Sequence, residues 1–469
     1  MDLFFKIPMS LAKVKEMKIS LLFLLALLAS GCADKVENQG PEDYTGLIIT
    51  EVAANEDKSA ASWVEIYNSS SREIRLAGLG LYLTDAQSTG QELTILDDVV
   101  AKAGQRLVFS TSDMTLMKGL SSDADFKIVL GKSADADIID SFSRDANAGA
   151  ATTEKYGSYQ RIPEDGDDWQ VTVQATRRMK NFDAKPNGIW VWSTHMDQWI
   201  ADDFKVLKDM KTLGYDHILL NYNAFDDPAK ADKDRQIIAA SKQLGVMVHA
   251  WMQVFCENKT WINPIENLGD GTGRYKQEEF DRIIAKANRY IDDFDVDGIH
   301  MDYIRFSGSG QNIANKNNYS NGVTACGAIT EFCRQIRASL DSRLEGVLLS
   351  AAMMTGSNVQ YYYGQEASDM GKYIDILMPM VYKYYPNTTY DDSWMRGTCS
   401  QFTQASDAQV WAGIQTYTHF PGSQDVKGMS ADEIRADAEV IRSTKCTGMV
   451  LFRYALGEFP DVNYLWSPR

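Results

Sequence analysis

A chain of 469 residues is longer than one hydrophobic core usually serves, so two folded units behind a leader are expected. Its formal net charge of −17 offers no basic footprint for neutralising phosphates, which argues against a nucleic-acid partner. Aromatic residues make up 11%, a composition of filled globular cores and not of disorder.

Near the start of the chain Lys13, Lys15 and Lys18 precede an apolar run from Ile19 to Ala29, followed by Ala29-Ser30-Gly31-Cys32. A basic stretch, a short apolar core and small residues before a cut make an export signal, with Met17 a workable start. The run falls well short of the roughly 20 residues that span a bilayer. Small residues ending in Gly-Cys resemble the bacterial lipoprotein processing site, with Ala29 standing where Leu is commoner. The resemblance implies a signal peptide over 1–32 ending at a lipidated Cys32, contact with a membrane through that lipid only, and a place in the bacterial cell envelope. The other cysteines are Cys256, Cys326, Cys333, Cys399 and Cys446, an odd number without zinc-ligand spacing. They are expected to be structural, and neither a metal nor a cofactor is expected.

After a polar tether over 33–44, short alternating runs begin. Leu47-Ile48-Ile49, Trp63–Tyr67, Ile74–Leu76, Leu79–Leu83, Arg106–Phe109, Phe126–Leu130, Ile138-Ile139, Tyr159–Arg161 and Trp169–Val171 are separated by Gly, Asn and Ser. That pattern predicts a β-sandwich over 45–176. The stretches IITEVAANE, SWVEIYNSS, IRLAGLGLYLTD and AGQRLVFS resemble the lamin-tail domain, an immunoglobulin-like sandwich. The resemblance implies that Glu65 and Asn68 tie a strand to its turn, and that the module targets, spaces, or binds a protein or glycan partner.

Beyond a linker over 177–187 the period changes. Apolar runs at Ile189–Trp192, His217–Tyr222, Val246–Trp251, Gly298–Tyr303, Val347–Ala352, Ile376–Val381, Val410–Gln415 and Gly448–Phe452 alternate with amphipathic helices. Phe280, Ile283, Ile284, Ala287, Ile291 and Phe294 follow helical spacing, and Ser430 with Glu433 forms a capping box. Eight strands over 188–469 predict a (β/α)8 TIM barrel. An open doubly wound sheet is the alternative, because periodicity does not show closure.

In such a barrel the C-terminal strand ends carry the site. Those ends supply Trp192, Asn221, Tyr222, His249, Trp251, Asp302, Arg305, Tyr382, Lys383, Gln415 and Tyr417, with Glu257 and Glu458 just beyond. Aromatic faces, amides and acids on one rim suit a sugar. Asp302 ends the fourth strand, and Arg305 is expected to hold it ionised. Glycoside hydrolysis normally takes two carboxyl groups. Glu366 is the expected partner of Asp302, with Glu257 and Glu458 as rivals. The fifth strand ends without an acid, which keeps a catalytically silent, glycan-binding barrel in play. His249 and His300 are also readable as core groups, and the polar segment Ser307–Gly322 as a lid, a subsite wall or plain disorder.

HAW at His249–Trp251, DGIHMDYIRF, GQE at Gly364–Glu366 and YIDILMPMVY at Tyr373–Tyr382 resemble the glycosyl-hydrolase-like family ten barrels across nearly the whole domain. Gly298 and Asp302 are also similar to the strand-four motif of the α-amylase superfamily, where His300 replaces the family's Arg. The resemblance implies a glycoside hydrolase acting on cell-wall or other polysaccharide chains. If Cys32 carries the lipid, Cys32→Ser in the producing cell is expected to abolish labelling by a clickable fatty acid; labelling that persists would refute the anchor.

Overall fold

A computed structural model describes residues 43–465 apart from 55–61, 111–119, 122–123, 146–156, 173–174, 177–179, 182–183, 342–346 and 407. The export signal, Cys32, most of the tether and part of the linker lie outside the described residues. Met1–Tyr44 and Thr45–Arg469 divide as two units, and both folded regions below belong to the second.

The first region is built from two antiparallel sheets. One runs in the order Trp169–Thr172, Ser158–Arg161, Leu47–Ala53, Trp63–Asn68, Arg106–Ser110, and the other Gln91–Ile95, Gly80–Asp85, Phe126–Gly131, Ile138–Arg144. Their inner residues alternate into a shared core, as period-two patterning requires. Phe142 of one sheet lies 5.2 Å from Tyr159 and 4.5 Å from Trp169 of the other, ring centre to ring centre. Asp140 crosses the same gap, accepting the Ile49 amide at 2.7 Å and pairing with Arg161 at 2.9 Å. Asn68 does close a turn: its amide nitrogen donates to the carbonyls of Arg72, Ala101 and Lys102, and its oxygen accepts from Ser70. Glu65 accepts Thr50 Oγ1 at 2.8 Å and pairs with Arg106 at 3.2 Å, which joins its strand to both neighbours.

The second region is a closed barrel of eight parallel strands: β1 (Asn187–Val191), β2 (His217–Asn221), β3 (Met247–Gln253), β4 (Gly298–Asp302), β5 (Leu348–Met353), β6 (Ile376–Pro379), β7 (Gln409–Gln415) and β8 (Gly448–Phe452). Closure comes from β8 pairing with both β1 and β7, which removes the open-sheet alternative. The strands are buried on both faces, as parallel strands under a coat of helices must be. Helix Gln277–Phe294 buries Phe280, Ile283, Ala287, Ile291 and Phe294 on one stripe, and Ser430 and Glu433 cap helix Ala431–Arg442 reciprocally. Gly245 stops helix Ala231–Leu244 in the left-handed region at φ 68, a conformation that costs glycine little.

Asp375, just ahead of β6, is buried at the N-terminal side of the strands. It accepts the Leu349 amide at 2.7 Å and pairs with Arg337 at 3.0 Å, a structural role. Cys326 and Cys333 lie on one helix, Ala325–Asp341, and the five described cysteines are free thiols.

Asp234, on helix Ala231–Leu244, is fully buried, and neither carboxylate oxygen has a hydrogen-bond partner among the described residues. Burial pushes its pKa up to about 7. A raised acid pKa means the folded protein holds a proton that the unfolded chain has released. Stability therefore falls as pH rises from about 4 to 7 and stays low above that. Asp234→Asn is expected to raise stability above pH 7 by on the order of 4 kcal/mol and to have little effect at pH 4. Denaturant melts at the two pH values measure this, and an equal effect at both would contradict it.

Candidate active site

The C-terminal ends of the strands open into a cavity of about 160 Å3. Trp190 and Trp192 enter from β1 and its end, Asn221 and Tyr222 from β2, Trp251 and Gln253 from β3, and Asp302, Tyr303 and Arg305 from β4. Ala352, Met380, Tyr382 and Phe452 close the far side. The floor is aromatic. Trp192 lies 5.0 Å from Trp251, and Tyr382 stacks on Phe452 at 5.4 Å.

Among the described residues lining this cavity, Asp302 is the only carboxylate. The register that pairs Gln253 with Asp302 sets Trp251 two residues back on β3, and its indole Nε1 donates to Asp302 Oδ2 at 3.1 Å. Tyr303 then turns into the left-handed region at φ 55, which ends β4 and brings its amide back onto Asp302 Oδ1 at 2.7 Å. A bulky residue at positive φ is strained, and such strain is held where the surroundings over-determine it. Burial is the largest influence on the Asp302 carboxyl and raises its pKa. The Tyr303 amide, the Trp251 indole and Arg305 pull the other way without offsetting it.

Arg305 does favour the ionised form of Asp302, as expected, but burial outweighs it and leaves the carboxyl above its ordinary value. The guanidinium donates to the Phe306 carbonyl at 3.1 Å and sits over the rings of Trp261 at 4.7 Å, Tyr363 at 5.1 Å and Tyr303 at 5.4 Å. It is held in an aromatic cage, and it acts on Asp302 as a nearby charge.

The expected second carboxylates are elsewhere. Glu366 lines a neighbouring cavity with Ser357, Asn358, Gln360, Tyr361 and Gln401, where Gln360 and Ser368 donate to it. It follows Gly364-Gln365, and Gln365 turns inward to bind the Met354 amide, which points its neighbour away. Glu257 is paired with Arg282 at 3.0 Å and Lys286 at 3.5 Å on an outer helix. Glu458 reaches the Ala431 amide, at 3.4 Å.

Of the expected sugar contacts, Trp192, Asn221, Tyr222, Trp251, Arg305 and Tyr382 come together in the cavity, and six do not: Glu257 and Glu458, placed above, and His249, Lys383, Gln415 and Tyr417. His249 is fully buried within the barrel, its Nε2 3.0 Å from His217 Nδ1, and burial lowers its pKa to about 4. Gly298 faces it: a Cβ there would come within 2.1 Å of the imidazole, so the glycine exists to admit this ring. Lys383 is neutralised by Asp392 and Asp437, each at 2.9 Å. Gln415 is spent on the backbone of Tyr384, and Tyr417 stands behind Phe452 at 6.3 Å. Trp190, Gln253 and Tyr303 were legible as rim residues without being selected. Met380, Ala352 and Phe452 carry no polar signal that could have selected them.

His300 is buried beneath Trp190. Trp190 Nε1 donates to His300 Nε2 at 3.1 Å, so His300 Nδ1 carries the proton and faces Ser350 Oγ at 2.9 Å. That chain fixes one wall of the cavity. The segment after β4 forms short 3-10 turns at Gly310–Asn312 and Ala314–Lys316, and buried Asn317 donates to the Ile313 carbonyl.

Residues 224–394 match the family model described as "Putative glycosyl hydrolase domain", a span that holds β3 to β6 and with them Asp302. No curated protein matches the chain. Among solved structures, the chain is similar to the spore cortex-lytic enzyme SleL of Bacillus megaterium QM B1551, at 12% identity over 62% of this chain and 75% of that one, TM-score 0.41. It is also similar to a chitinase from Chromobacterium violaceum ATCC 12472, at 12% identity over 60% and 96%, TM-score 0.39. A third is the exo-beta-1,4-mannosidase Op5Man5 from Opitutaceae bacterium strain TAV5, at 12% identity over 58% and 52%, TM-score 0.40. The barrel is thus glycosyl-hydrolase-like over the segment that bears the cavity's acid.

Because the Trp251 indole stabilises the ionised form of Asp302, Trp251→Phe is expected to raise the Asp302 pKa further. A 13C NMR titration of the side-chain carboxyls, assigned by difference with Asp302→Asn, reads the shift; a lower pKa in the Trp251→Phe variant would contradict the hydrogen bond.

Proposed function

We propose that the barrel hydrolyses glycosidic bonds in a polysaccharide or cell-wall glycan, with Asp302 as the proton donor. The observation that carries this is a half-buried carboxyl with a raised pKa, the one carboxyl among the described residues lining an aromatic cavity, within the glycosyl-hydrolase-like segment. A carboxyl whose pKa is raised by burial is better suited to give its proton to a leaving oxygen than an ordinary aspartate. The stacked rings around it suit the apolar faces of a sugar, and Asn221, Gln253 and Tyr382 suit its hydroxyls. A pair made of Asp302 and Glu366 is not what this geometry supports, since Glu366 lines the adjoining cavity.

The same reading places the protein in the cell envelope, anchored by lipid at Cys32, with the lamin-tail-like sandwich as a spacing or targeting module ahead of a separately folding barrel. The leader's charge layout and the change of period near residue 186 support it. A second reading, a silent glycan-binding barrel, is favoured by the lone carboxylate in the cavity.

A screen of the purified protein against polysaccharides and peptidoglycan strands separates the two. Hydrolysis is expected in the wild type, and Asp302→Asn is expected to lower turnover on the order of 10³-fold while retaining binding. Binding without turnover in the wild type would favour the silent barrel, and full activity in Asp302→Asn would remove this residue from the chemistry.

A further inference from the structure

A chain with a formal net charge of −17 has carboxylates to spare, and cations around the C-terminal rim of the barrel are matched to them. Lys383 pairs with Asp392 and Asp437, Lys230 with Asp227, and Arg282 and Lys286 with Glu257. Two arginines beside the cavity break that pattern. Among the described residues neither Arg305 nor Arg453 forms an ion pair. Asp302 is the carboxylate that acts on Arg305, from beyond direct contact, and the charged group that acts on Arg453 is the Tyr417 phenol.

Both guanidiniums are partly withdrawn from water, and each remains accessible at the cavity. Arg305 is half-buried in its aromatic cage and lines the cavity itself. Arg453, also half-buried, lies over the ring of Trp192 at 5.5 Å, and that ring lines the cavity. The strands that deliver them, β4 and β8, stand four apart in the ring of eight, so the two cations flank the cavity from opposite walls. Burial lowers the pKa of each, as it does for a cation short of counter-charge. Ring faces repay part of that cost. They leave the N–H edges to be satisfied, and at Arg305 the Phe306 carbonyl takes Nη1 at 3.1 Å.

We propose that the substrate is an acidic polysaccharide, and that the carboxylate of a uronic acid residue is the counter-charge that Arg305 and Arg453 lack. The proposal rests on the glycan reading above and adds the charge of the sugar. A guanidinium edge meets a carboxylate through paired hydrogen bonds, a geometry that lysine does not offer. A uronic acid also keeps an apolar ring face for Trp192, Trp251 and Tyr382. While Asp302 carries the proton to be transferred it is neutral, so it does not compete with the substrate for Arg305. The acidity of the rest of the chain does not decide the matter. Exposed charges are screened beyond about 8 Å at physiological salt, which leaves the two local cations in control.

The test measures binding by full-length Asp302→Asn, and turnover by the wild type, on alginate and polygalacturonate. The same two chains after reduction of their carboxyls to alcohols, and dextran sulfate, complete the set. At least one uronate chain is expected to bind, with an affinity about 10-fold or more above its reduced form. Dextran sulfate is expected to bind no better than the reduced chains. Adding Arg453→Gln is expected to narrow the acidic-to-reduced ratio about 10-fold, and Arg453→Lys to restore part of it. A purely structural arginine would weaken both forms alike and leave that ratio unchanged, which would remove Arg453 from the site. Equal binding of acidic and reduced chains, a preference for dextran sulfate, or binding of none would each overturn the inference. Cleavage of the reduced chains alongside would leave the hydrolase reading standing. Acidic chains bound selectively by Asp302→Asn but left uncut by the wild type would support the inference and overturn that reading.

Discussion

The half-buried carboxyl group at the end of β4 organises this molecule. Closing eight parallel strands into a barrel brings β3 and β4 into a register that leaves Asp302 under Trp251, and the left-handed turn at Tyr303 returns a backbone amide to the same group. Two hydrogen bonds satisfy the oxygens without neutralising a charge, and enclosure then favours the protonated acid. The surrounding arrangement follows from that constraint. Arg305 is held among Trp261, Tyr303 and Tyr363, and among the described residues it makes no direct ion pair with Asp302, so its charge offsets the effect of burial only in part.

The layer beneath the cavity is polar in an unusual way for a barrel interior. His217, His249 and His300 are all fully buried, and burial lowers the pKa of each, so the three imidazoles are neutral. His300 accepts from Trp190 and thereby fixes a cavity wall; His249 fills the space that Gly298 leaves. The strand GIHMD thus has a positional logic: glycine to admit a ring, histidine to anchor an indole, and aspartate at the mouth.

Much of this was legible in the sequence because the barrel's periodicity is strong. The eight strands lie within two residues of their expected bounds, and the capping box at Ser430 and Glu433 is present. The sandwich was read less completely. Strand Gln91–Ile95 went unseen because only Leu93 of its five residues is buried, so it shows no alternation to detect. Position along a strand grouped Asp302, Trp192, Asn221, Trp251 and Tyr382, which do line one cavity, since a strand end fixes which way a side chain can face. Glu366 and Lys383 were misplaced because they sit in loops, where sequence distance from a strand does not say which cavity a side chain enters. His249 was misplaced for the converse reason: it is mid-strand, and the gap left by Gly298 draws its ring into the interior. The sign of the Asp302 shift was also out of reach, since Arg305 is close in sequence but its cage is assembled from Trp261 and Tyr363, far along the chain.

The most direct test of the account is a crystal structure of the Asp302→Asn variant soaked with an oligosaccharide it binds but does not cleave. The account predicts a sugar ring seated among Trp192, Trp251 and Tyr382, with a glycosidic oxygen within about 3 Å of the residue-302 side chain, the reach of a proton transfer. A glycan bound instead in the adjoining cavity beside Glu366, with the Asp302 cavity empty, would contradict it.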